Sequence, residues 1–249
     1  MPPPPPAPPA RAGARPRRPD GAPGGGPRVA WLAGATGLVG SHLLTRLLDA
    51  PHVGAVHALV RRLPDVPRTH PRLHYHPVDL DHLPVLPACD DVFIALGTTL
   101  AVAGSKAAFR HVDFDLVLTV ARAARDAGAT RLALVSAMGA DAGSPVFYNR
   151  VKGEAEAAVR ALGFPQLVVA QPSLLLGDRE ALGQPARQAE GWVARLAGPL
   201  SPWLPRAVRP LAADAVAAAL VAAMAVDRPG DARLSSAAMQ PRRARSASG

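Results

Sequence analysis

Short apolar runs alternate with longer stretches of mixed polarity along most of the chain. The runs are rich in Val, Leu and Ile, and they cover residues 28–34, 55–61, 73–79, 91–97, 131–137 and 166–172. Runs of this kind are typical of strands that are buried on both faces of a parallel sheet. Apolar positions at helical spacing lie at about 38–49, 105–127, 147–162 and 212–225. This alternation predicts an α/β fold with a doubly wound parallel sheet.

The pattern is interrupted in two places. Between the runs 55–61 and 91–97 no clear helix is visible, so one crossover there is predicted to be irregular. From about 178 to 211 the sequence has two tryptophans, several prolines and no strand pattern. We interpret this stretch either as a helical cap over the carboxyl edge of the sheet, where open α/β proteins bind ligands, or as a packed appendage.

The chain therefore divides into four predicted parts. Residues 28–177 hold the sheet, and residues 178–226 hold a small cap on the substrate side followed by a closing helix. Residues 1–27 are rich in Pro, Arg and Gly, and they are predicted to form a disordered arm. Residues 227–249 are predicted to be a disordered basic tail.

The charge of the chain is concentrated in its ends. The net charge is +9, of which residues 1–28 contribute +4 (five arginines, one aspartate) and residues 227–249 contribute +3 (five arginines, two aspartates). A nucleic-acid groove needs its charge clustered on the folded body, so specific nucleic-acid binding is not expected. The apolar helix at 214–226 is too short to span a bilayer, so no membrane partner is expected.

Cysteine usage and the amino-terminal sequence suggest a compartment. The single cysteine, Cys89, excludes a disulfide within the chain and any zinc site built from several cysteines. The first residues lack an apolar signal segment, and their prolines are incompatible with a targeting helix. A cytoplasmic location is the expectation. The histidines between His52 and His76 have no carboxylate at ligand spacing, so no metal site is predicted.

A glycine motif follows the first apolar run. In "VAWLAGATGLVGSHLLTRLL", Gly34, Gly37 and Gly40 are spaced as a variant of the dinucleotide-binding fingerprint, between a strand and a helix. The glycines permit the tight turn, the approach of backbone N–H groups to a pyrophosphate, and close packing of the helix on the strand. The predicted cofactor contacts here are Gly34, Thr36, Gly37, Leu38, Val39 and Gly40.

The ends of the next strands indicate which nucleotide is bound. An NAD site usually has an acid at the end of the second strand, whereas this chain has Arg61 and Arg62, and a guanidinium suits a 2′-phosphate. NADP(H) is therefore favoured over NAD(H). The further predicted contacts are Asp79 and Leu80 near the adenine, and Gly97, Thr98 and Thr99 after the fourth strand.

Tyr148 and Lys152 stand four residues apart at the start of a predicted helix, so their side chains share one face. Carbonyl reduction needs a proton donor at the oxygen, and a tyrosine, which ordinarily ionises at about pH 10, needs a nearby cation for that role. Lys106 and Lys152 are the only lysines among 28 basic residues. A compact ammonium can also hydrogen-bond a ribose in a way that a planar guanidinium cannot. The alternative is a half-buried tyrosine followed by a solvated lysine.

Five motifs in this order resemble the short-chain dehydrogenase/reductase superfamily: "GATGLVG", "LGTT", "LVSAMGAD", "FYNRVKGE" and "QPSLLLGDR". They are most similar to its atypical branch related to the human Tat-interacting protein, which has many bacterial members described as NAD-dependent epimerase/dehydratase-like. The similarity covers about residues 28–226, and it is most specific from 96 to 179. It implies a Rossmann fold that binds NAD(P), with Tyr148 and Lys152 as the catalytic core.

The resemblance also implies a third catalytic group and a nicotinamide contact. The superfamily has a serine or threonine after the fifth strand, for which Ser136 is the candidate, although the usual register falls on Ala137 or Met138. Ser144 and Thr98 are the substitutes. Pro172 and Ser173 match the positions that contact the carboxamide of the nicotinamide, and Asp113 is near a polar position that orders the active-site helix.

Together these features predict an NADP(H)-dependent oxidoreductase. Its substrate would be a small carbonyl or hydroxyl compound, and the protein would be a homodimer or a monomer. The alternative is a non-catalytic NADP(H)-binding regulatory or assembly protein that acts through a protein partner and keeps Tyr148 and Lys152 for binding the ribose.

Overall fold

Seven parallel strands form one sheet in the computed structural model, which describes residues 26–176 and 209–240. The strands of this sheet are β1 (Arg28–Ala33), β2 (Val53–Val60), β3 (Leu73–Pro77), β4 (Asp91–Ile94), β5 (Arg131–Val135), β6 (Gln166–Gln171) and β9 (Gly230–Ser235). Two short strands, β7 (Leu175–Leu176) and β8 (Leu211–Ala212), pair separately. The order β3-β2-β1-β4-β5-β6-β9 confirms the predicted doubly wound Rossmann fold. The first six strands correspond to the six apolar runs.

Helices connect the strands on both faces. They are α1 (Leu38–Asp49), α2 (Leu100–Ala103), α3 (Lys106–Arg110), α4 (Leu116–Asp126), α5 (Phe147–Ala161), α6 (Ala213–Ala225) and α7 (Ser236–Met239). A π-helical turn at His111–Asp115 joins α3 to α4, where the sequence predicted one continuous helix. Residues 78–90, between β3 and β4, contain no helix, which confirms the irregular crossover. Among the described helices, none has both the length and the apolar character that crossing a bilayer requires.

Each face of the sheet carries its own hydrophobic core. On one face, Leu43 and Leu47 of α1 pack with Leu220 of α6 against the sheet. On the other face, Val120 of α4 and Val159 of α5 belong to the second core. Adjacent residues of each central strand contribute to opposite cores, as Trp31 and Leu32 do in β1. This two-sided burial explains why the strands are apolar at nearly every position.

A buried ionic cluster fastens the amino ends of the central strands. The carboxylate of Asp91 in β4 lies 2.6 Å from Nε of Arg131 in β5 and 3.1 Å from Nε of Arg28 in β1. Burial raises the pKa of Asp91, and the charges of the two arginines oppose that rise. The cluster lies at the edge of the sheet opposite to the glycine turn.

The structure corrects the prediction that the chain is disordered from residue 227 onward. Residues 230–239 form β9 and α7, and β9 pairs in parallel with β6 along its whole length. Ala232 and Leu234 of β9 pack on the first hydrophobic core, and the backbone N–H of Gly230 donates to the carbonyl of Pro165. The predicted arm up to residue 25, the predicted cap from 177 to 208 and the segment from 241 to 249 lie outside the described residues.

Candidate functional site

A cleft of about 800 Å³ opens at the carboxyl edge of the sheet, at the neighbouring strands β1 and β4, from which the strand order runs in opposite directions. Crevices at this position are where open α/β sheets bind ligands. All of the predicted site residues line the cleft except Gly40, Arg62 and Asp79. The residues at its wall are Gly34, Thr36, Gly37, Leu38, Val39, Arg61, Leu80, Gly97, Thr98, Thr99, Ser136, Tyr148, Lys152, Pro172 and Ser173.

The glycine turn brings α1 directly against the end of β1. Gly34 has a φ of +90°, and a Cβ atom there would lie 2.5 Å from the carbonyl oxygen of Ala95. A Cβ atom on Gly40 would lie 1.8 Å from the carbonyl oxygen of Gly34. Gly40 thus packs α1 on the turn, and for this reason it does not line the cleft.

The start of α1 is suited to an anionic ligand. Gly37 precedes the helix and has no side chain to cap it, and the first hydrogen bond of the helix runs from the N–H of Ser41 to the carbonyl of Gly37. The N–H of Gly37 donates to the carbonyl of Gly34, whereas the N–H groups of residues 38–40 have no acceptor within the helix, and such groups form the donor set that binds phosphates in dinucleotide sites. The residues present fit the pyrophosphate of a nicotinamide cofactor.

The two arginines after β2 differ in position. Both are exposed, but only Arg61 lines the cleft. After β3, Leu80 is buried in the wall, whereas the exposed carboxylate of Asp79 accepts hydrogen bonds from the backbone N–H of Asp81 at 3.0 Å and from His82 at 3.2 Å. The bond from Asp81 is the main cause of a lowered pKa at Asp79. These local bonds hold Asp79 in a turn beside the cleft, and Asp79 is not among the residues of the cleft wall.

Tyr148 and Lys152 lie on the first two turns of α5 and both face the cleft. The ring of Tyr148 packs on buried Phe109, with ring centroids 5.4 Å apart. Nζ of Lys152 lies 2.7 Å from Oδ1 of Asp113, and both side chains are buried. The other oxygen of Asp113 accepts a hydrogen bond of 2.9 Å from the backbone N–H of Thr98. Asp113 therefore links the lysine to the loop after β4.

The π-helical turn and a glycine accommodate this ion pair. Asp113 is the central residue of the turn His111–Asp115, and such turns are frequent at functional sites. A Cβ atom on Gly97 would lie 3.3 Å from Oδ1 of Asp113 and 3.5 Å from Nζ of Lys152. The resemblance implied only that Asp113 orders the active-site helix, and nothing in the sequence indicated its contact with Lys152.

Ser136 lies in the wall of the cleft, but its hydroxyl is engaged. Its Oγ donates to Oε1 of Glu156 at 2.5 Å, and Glu156 also accepts from Nε2 of Gln171 at 2.8 Å. A hydroxyl has one proton to donate, so Ser136 cannot donate to a substrate oxygen while it keeps this bond. Ala137 and Met138 also line the cleft.

The two substitutes for the serine are placed differently. Oγ of Ser144 accepts from the backbone N–H of Val146, and this residue does not line the cleft. Thr98 does line it. Glu156 was missed by the sequence reasoning, although a signal was present: it stands four residues after Lys152 and eight after Tyr148, on the same helix face.

The loop after β6 closes the far end of the cleft. The carbonyl of Pro172 accepts a hydrogen bond of 2.9 Å from the backbone N–H of Met138, which joins the loops after β5 and β6. Oγ of Ser173 donates to the carbonyl of Arg209 at 2.7 Å and lies 2.8 Å from Oγ of Ser236. Ser173 thus connects the cleft wall to the segment that follows residue 208.

The histidines of β2 and β3 form a separate cluster outside the cleft. Nδ1 of His57 lies 2.7 Å from Nε2 of His76, and the rings of His57 and His74 stack with centroids 5.1 Å apart. Burial, followed by the charges of His76 and His74, lowers the pKa of His57 to about 4. Within residues 26–176 and 209–240, no group of three His, Cys, Asp or Glu side chains is arranged to hold a metal ion.

Known proteins share both the sequence pattern and the fold. A sequence model of a family described as NAD(P)H-binding matches residues 34–190. The mitochondrial protein Fmp52 of Emericella nidulans is 39% identical over 180 residues, which cover 68% of this chain and 74% of the relative. The mitochondrial protein Fmp52 of Candida albicans is 33% identical over 196 residues, which cover 75% and 83%.

Solved structures of low sequence identity have the same fold. The UDP-N-acetylglucosamine 4-epimerase of Methanobrevibacter ruminantium, in complex with UDP-N-acetylmuramic acid, aligns with a TM-score of 0.63 at 15% identity, over 84% of this chain and 76% of that chain. The Bordetella bronchiseptica enzyme WbmG, in complex with NAD, aligns with a TM-score of 0.60 at 17% identity, over 86% and 74%.

The relatives correct one expectation and establish the family. Fmp52 proteins that are 33% to 39% identical to this chain are named mitochondrial, which contradicts the cytoplasmic location expected from the sequence. The match to the family model covers more than half of the chain, and the glycine turn, the cleft and the strand order agree with it. The chain therefore belongs to the NAD(P)H-binding family and is related to the Fmp52 proteins, and it has a Rossmann fold that it shares with solved nucleotide-sugar epimerases.

Proposed function

We propose that this protein is an NADP(H)-dependent oxidoreductase of the short-chain dehydrogenase/reductase type. The observation that carries the proposal is that Tyr148 and Lys152 line the same cleft as the glycine turn. A phenol and an ammonium on one helix face are the groups that a carbonyl reduction requires beside a nicotinamide. The substrate is a small carbonyl or hydroxyl compound.

In the proposed reaction, the cofactor transfers the hydride and the protein transfers the proton. Bound NADPH supplies a hydride with its electron pair to the carbonyl carbon and leaves as NADP⁺, while the carbonyl oxygen takes a proton, so that an alcohol forms. Tyr148 donates that proton and regains one from solvent. Lys152 provides positive charge beside the phenol and a donor for the ribose, and Asp113 holds the ammonium in place.

The preference for NADP(H) rests on the end of β2. Arg61 is exposed and lines the cleft, while its neighbour Arg62 is exposed and does not. A guanidinium can form paired hydrogen bonds with a phosphate, so Arg61 suits the 2′-phosphate that distinguishes NADP from NAD.

Titration of intrinsic tryptophan fluorescence with NADPH and with NADH tests the cofactor. We expect Arg61→Ala to weaken NADPH binding by about tenfold or more, since a charge-assisted hydrogen bond contributes about 1.5–3 kcal/mol, and to leave NADH binding unchanged. Arg62→Ala is the matched control, and it should bind both cofactors as the wild type does. Tighter binding of NADH than of NADPH by the wild type would refute the preference.

Turnover of a panel of aldehydes and ketones with NADPH tests the activity. Tyr148→Phe should abolish turnover while the dissociation constant of NADPH stays within about twofold, because the change removes one oxygen atom. Equal turnover by the wild type and Tyr148→Phe would show that Tyr148 has no role in the reaction.

The second candidate is a regulatory protein that binds NADP(H) and acts through a partner. Two observations favour it: the hydroxyl of Ser136 is held by Glu156, and the ammonium of Lys152 is already paired with Asp113. NADPH binding without turnover of any carbonyl, together with unchanged cellular function of Tyr148→Phe, would select this alternative.

A further inference from the structure

Apolar side chains surround the cleft at its Tyr148 end. Val102 and Met138 both line the cleft, yet these residues are 60% and 44% exposed. Leu174 and Leu175 line the same cleft. Exposed large hydrophobic side chains grouped at a cavity mark a surface that binds an apolar ligand.

The strand order places these side chains beside Tyr148. Val102 lies on α2, which follows β4 and whose first turn is capped by Oγ1 of Thr99 at 3.1 Å. Met138 follows β5, and Leu174 follows β6. The carboxyl ends of β4, β5 and β6 lie on one side of β1, and Arg61 at the end of β2 lies on the other. The apolar wall is thus at the end of the cleft away from Arg61.

The charges at this end of the cleft cancel. The charged side chains among the described lining residues are Arg61, Asp113 and Lys152. Asp113 and Lys152 form a buried pair with each other, with Nζ and Oδ1 2.7 Å apart. In the described part of the chain, the Tyr148 end therefore offers no unpaired cation to the lining of the cleft. Charge-assisted hydrogen bonds from such cations are among the strongest contacts that a protein makes with a phosphate group.

We propose that the substrate is an aliphatic aldehyde or ketone whose hydrocarbon chain lies along Val102, Met138 and Leu174 while its carbonyl oxygen meets Tyr148. This inference rests on the proposed function and adds the substrate class to it. Binding of the chain removes exposed apolar side chains from water, and this burial provides the affinity. A nucleotide sugar is the type of ligand named with several proteins of similar fold, and the described lining residues at the Tyr148 end offer its phosphates no unpaired cation.

A homologous series of straight-chain aldehydes with NADPH is the test. Because one buried methylene is worth about 0.8 kcal/mol, kcat/KM should rise by about fourfold for each added methylene until the wall is covered. UDP-glucose, with NAD⁺ and with NADP⁺, serves as the charged comparison. If kcat/KM does not change with the length of the aldehyde, or if UDP-glucose is turned over better, the proposed substrate class is wrong. The oxidoreductase proposal stands in either case.

Two charged variants test the location of the site. Val102→Asp and Met138→Glu should each raise KM for the longest aldehyde by about tenfold or more, with unchanged NADPH affinity, because burial of an unpaired carboxylate is costly. Val226→Asp is the matched control: Val226 is 55% exposed, and its carbonyl accepts from Gln166 at the amino edge of β6, far from the cleft mouth. Its KM for the longest aldehyde should equal that of the wild type. If all three changes raise this KM equally, the hydrocarbon chain does not bind along Val102 and Met138.

A binding measurement separates the two proposals if no aldehyde is turned over. In that case the oxidoreductase proposal fails, and saturation-transfer NMR of 1-octanol with the NADP⁺ complex decides the inference. A signal that is lost in Val102→Asp and kept in Val226→Asp supports an apolar ligand site. The absence of a signal with the wild type overturns it.

Discussion

The ammonium of Lys152 lies 2.7 Å from the carboxylate of Asp113, and the two side chains are only 8% and 0% exposed. The aspartate belongs to the π-helical turn before α4, and the lysine to the second turn of α5, so the pair joins two helices across the floor of the cleft. A charge that is buried with its partner is tolerated, whereas a charge that is left alone at such a site is costly.

Removal of the aspartate should therefore destabilise the fold. We expect Asp113→Ala to lower the free energy of unfolding by about 3–5 kcal/mol, because the change leaves the ammonium of Lys152 buried and unpaired. Asp113→Asn, which can still accept from the N–H of Thr98, should cost less. Urea unfolding followed by circular dichroism measures both values. If Asp113→Ala is as stable as the wild type, the ion pair has no structural role.

Gly40 should not tolerate a side chain. A Cβ atom there would lie 1.8 Å from the carbonyl oxygen of Gly34, so Gly40→Ala must push α1 away from the glycine turn. We expect a loss of about 1–3 kcal/mol in the free energy of unfolding and at least tenfold weaker NADPH binding. Gly143→Ala is the control, since its Cβ atom would meet Oδ1 of Asp141 at an ordinary 3.5 Å. Unaltered NADPH binding by Gly40→Ala would argue against the turn as the phosphate site.

Ser136 should matter more for stability than for turnover. Its hydroxyl donates to buried Glu156, and hydrogen bonds to charged groups contribute about 1.5–3 kcal/mol, so Ser136→Ala should lower the free energy of unfolding by that amount. Its kcat should stay within about tenfold of the wild type, whereas Tyr148→Phe should lose activity entirely. Steady-state kinetics and urea unfolding of both variants check this. A loss of kcat in Ser136→Ala as large as in Tyr148→Phe would place the serine in the reaction.

The histidine cluster should make stability dependent on pH. Burial lowers the pKa of His57 from 6.5 to about 4, so between these two values the unfolded chain takes up a proton that the folded chain does not. The contribution of His57 is therefore fully present above pH 6.5, and it is lost progressively as the pH falls toward 4. Urea unfolding at pH 7 and pH 5 should show a smaller decrease for His57→Gln than for the wild type. His82→Gln, whose side chain is 85% exposed, is the control and should show the wild-type decrease.

The fold was predictable because the sheet is buried on both faces. Strands such as β5 and β6 must be apolar at almost every position, so short apolar runs between helical patterns locate them. The glycine turn was predictable for a similarly local reason, since Gly34 and Gly40 lie where any side chain would clash with the backbone.

The features that the sequence did not reveal depend on contacts between distant residues. β9 has only Ala232 and Leu234 as apolar positions, because it is an edge strand with one pairing partner, so no strand pattern marked it. The pairing of Asp113 with Lys152 and the bond from Ser136 to Glu156 join separate elements, and no local spacing encodes such distances. The bond to Glu156 also sets the direction in which the Ser136 hydroxyl points, and a comparison of sequence motifs does not predict that direction.

The position of β9 has a consequence for the order in which the chain is synthesised. β6 is complete at Gln171, but the strand that covers its outer edge begins only at Gly230, after α6. During synthesis, the N–H and C=O groups along that edge remain without a strand partner while the intervening residues are added. Unpaired strand edges promote association between chains, so we expect the nascent protein to be most prone to aggregation before β9 docks.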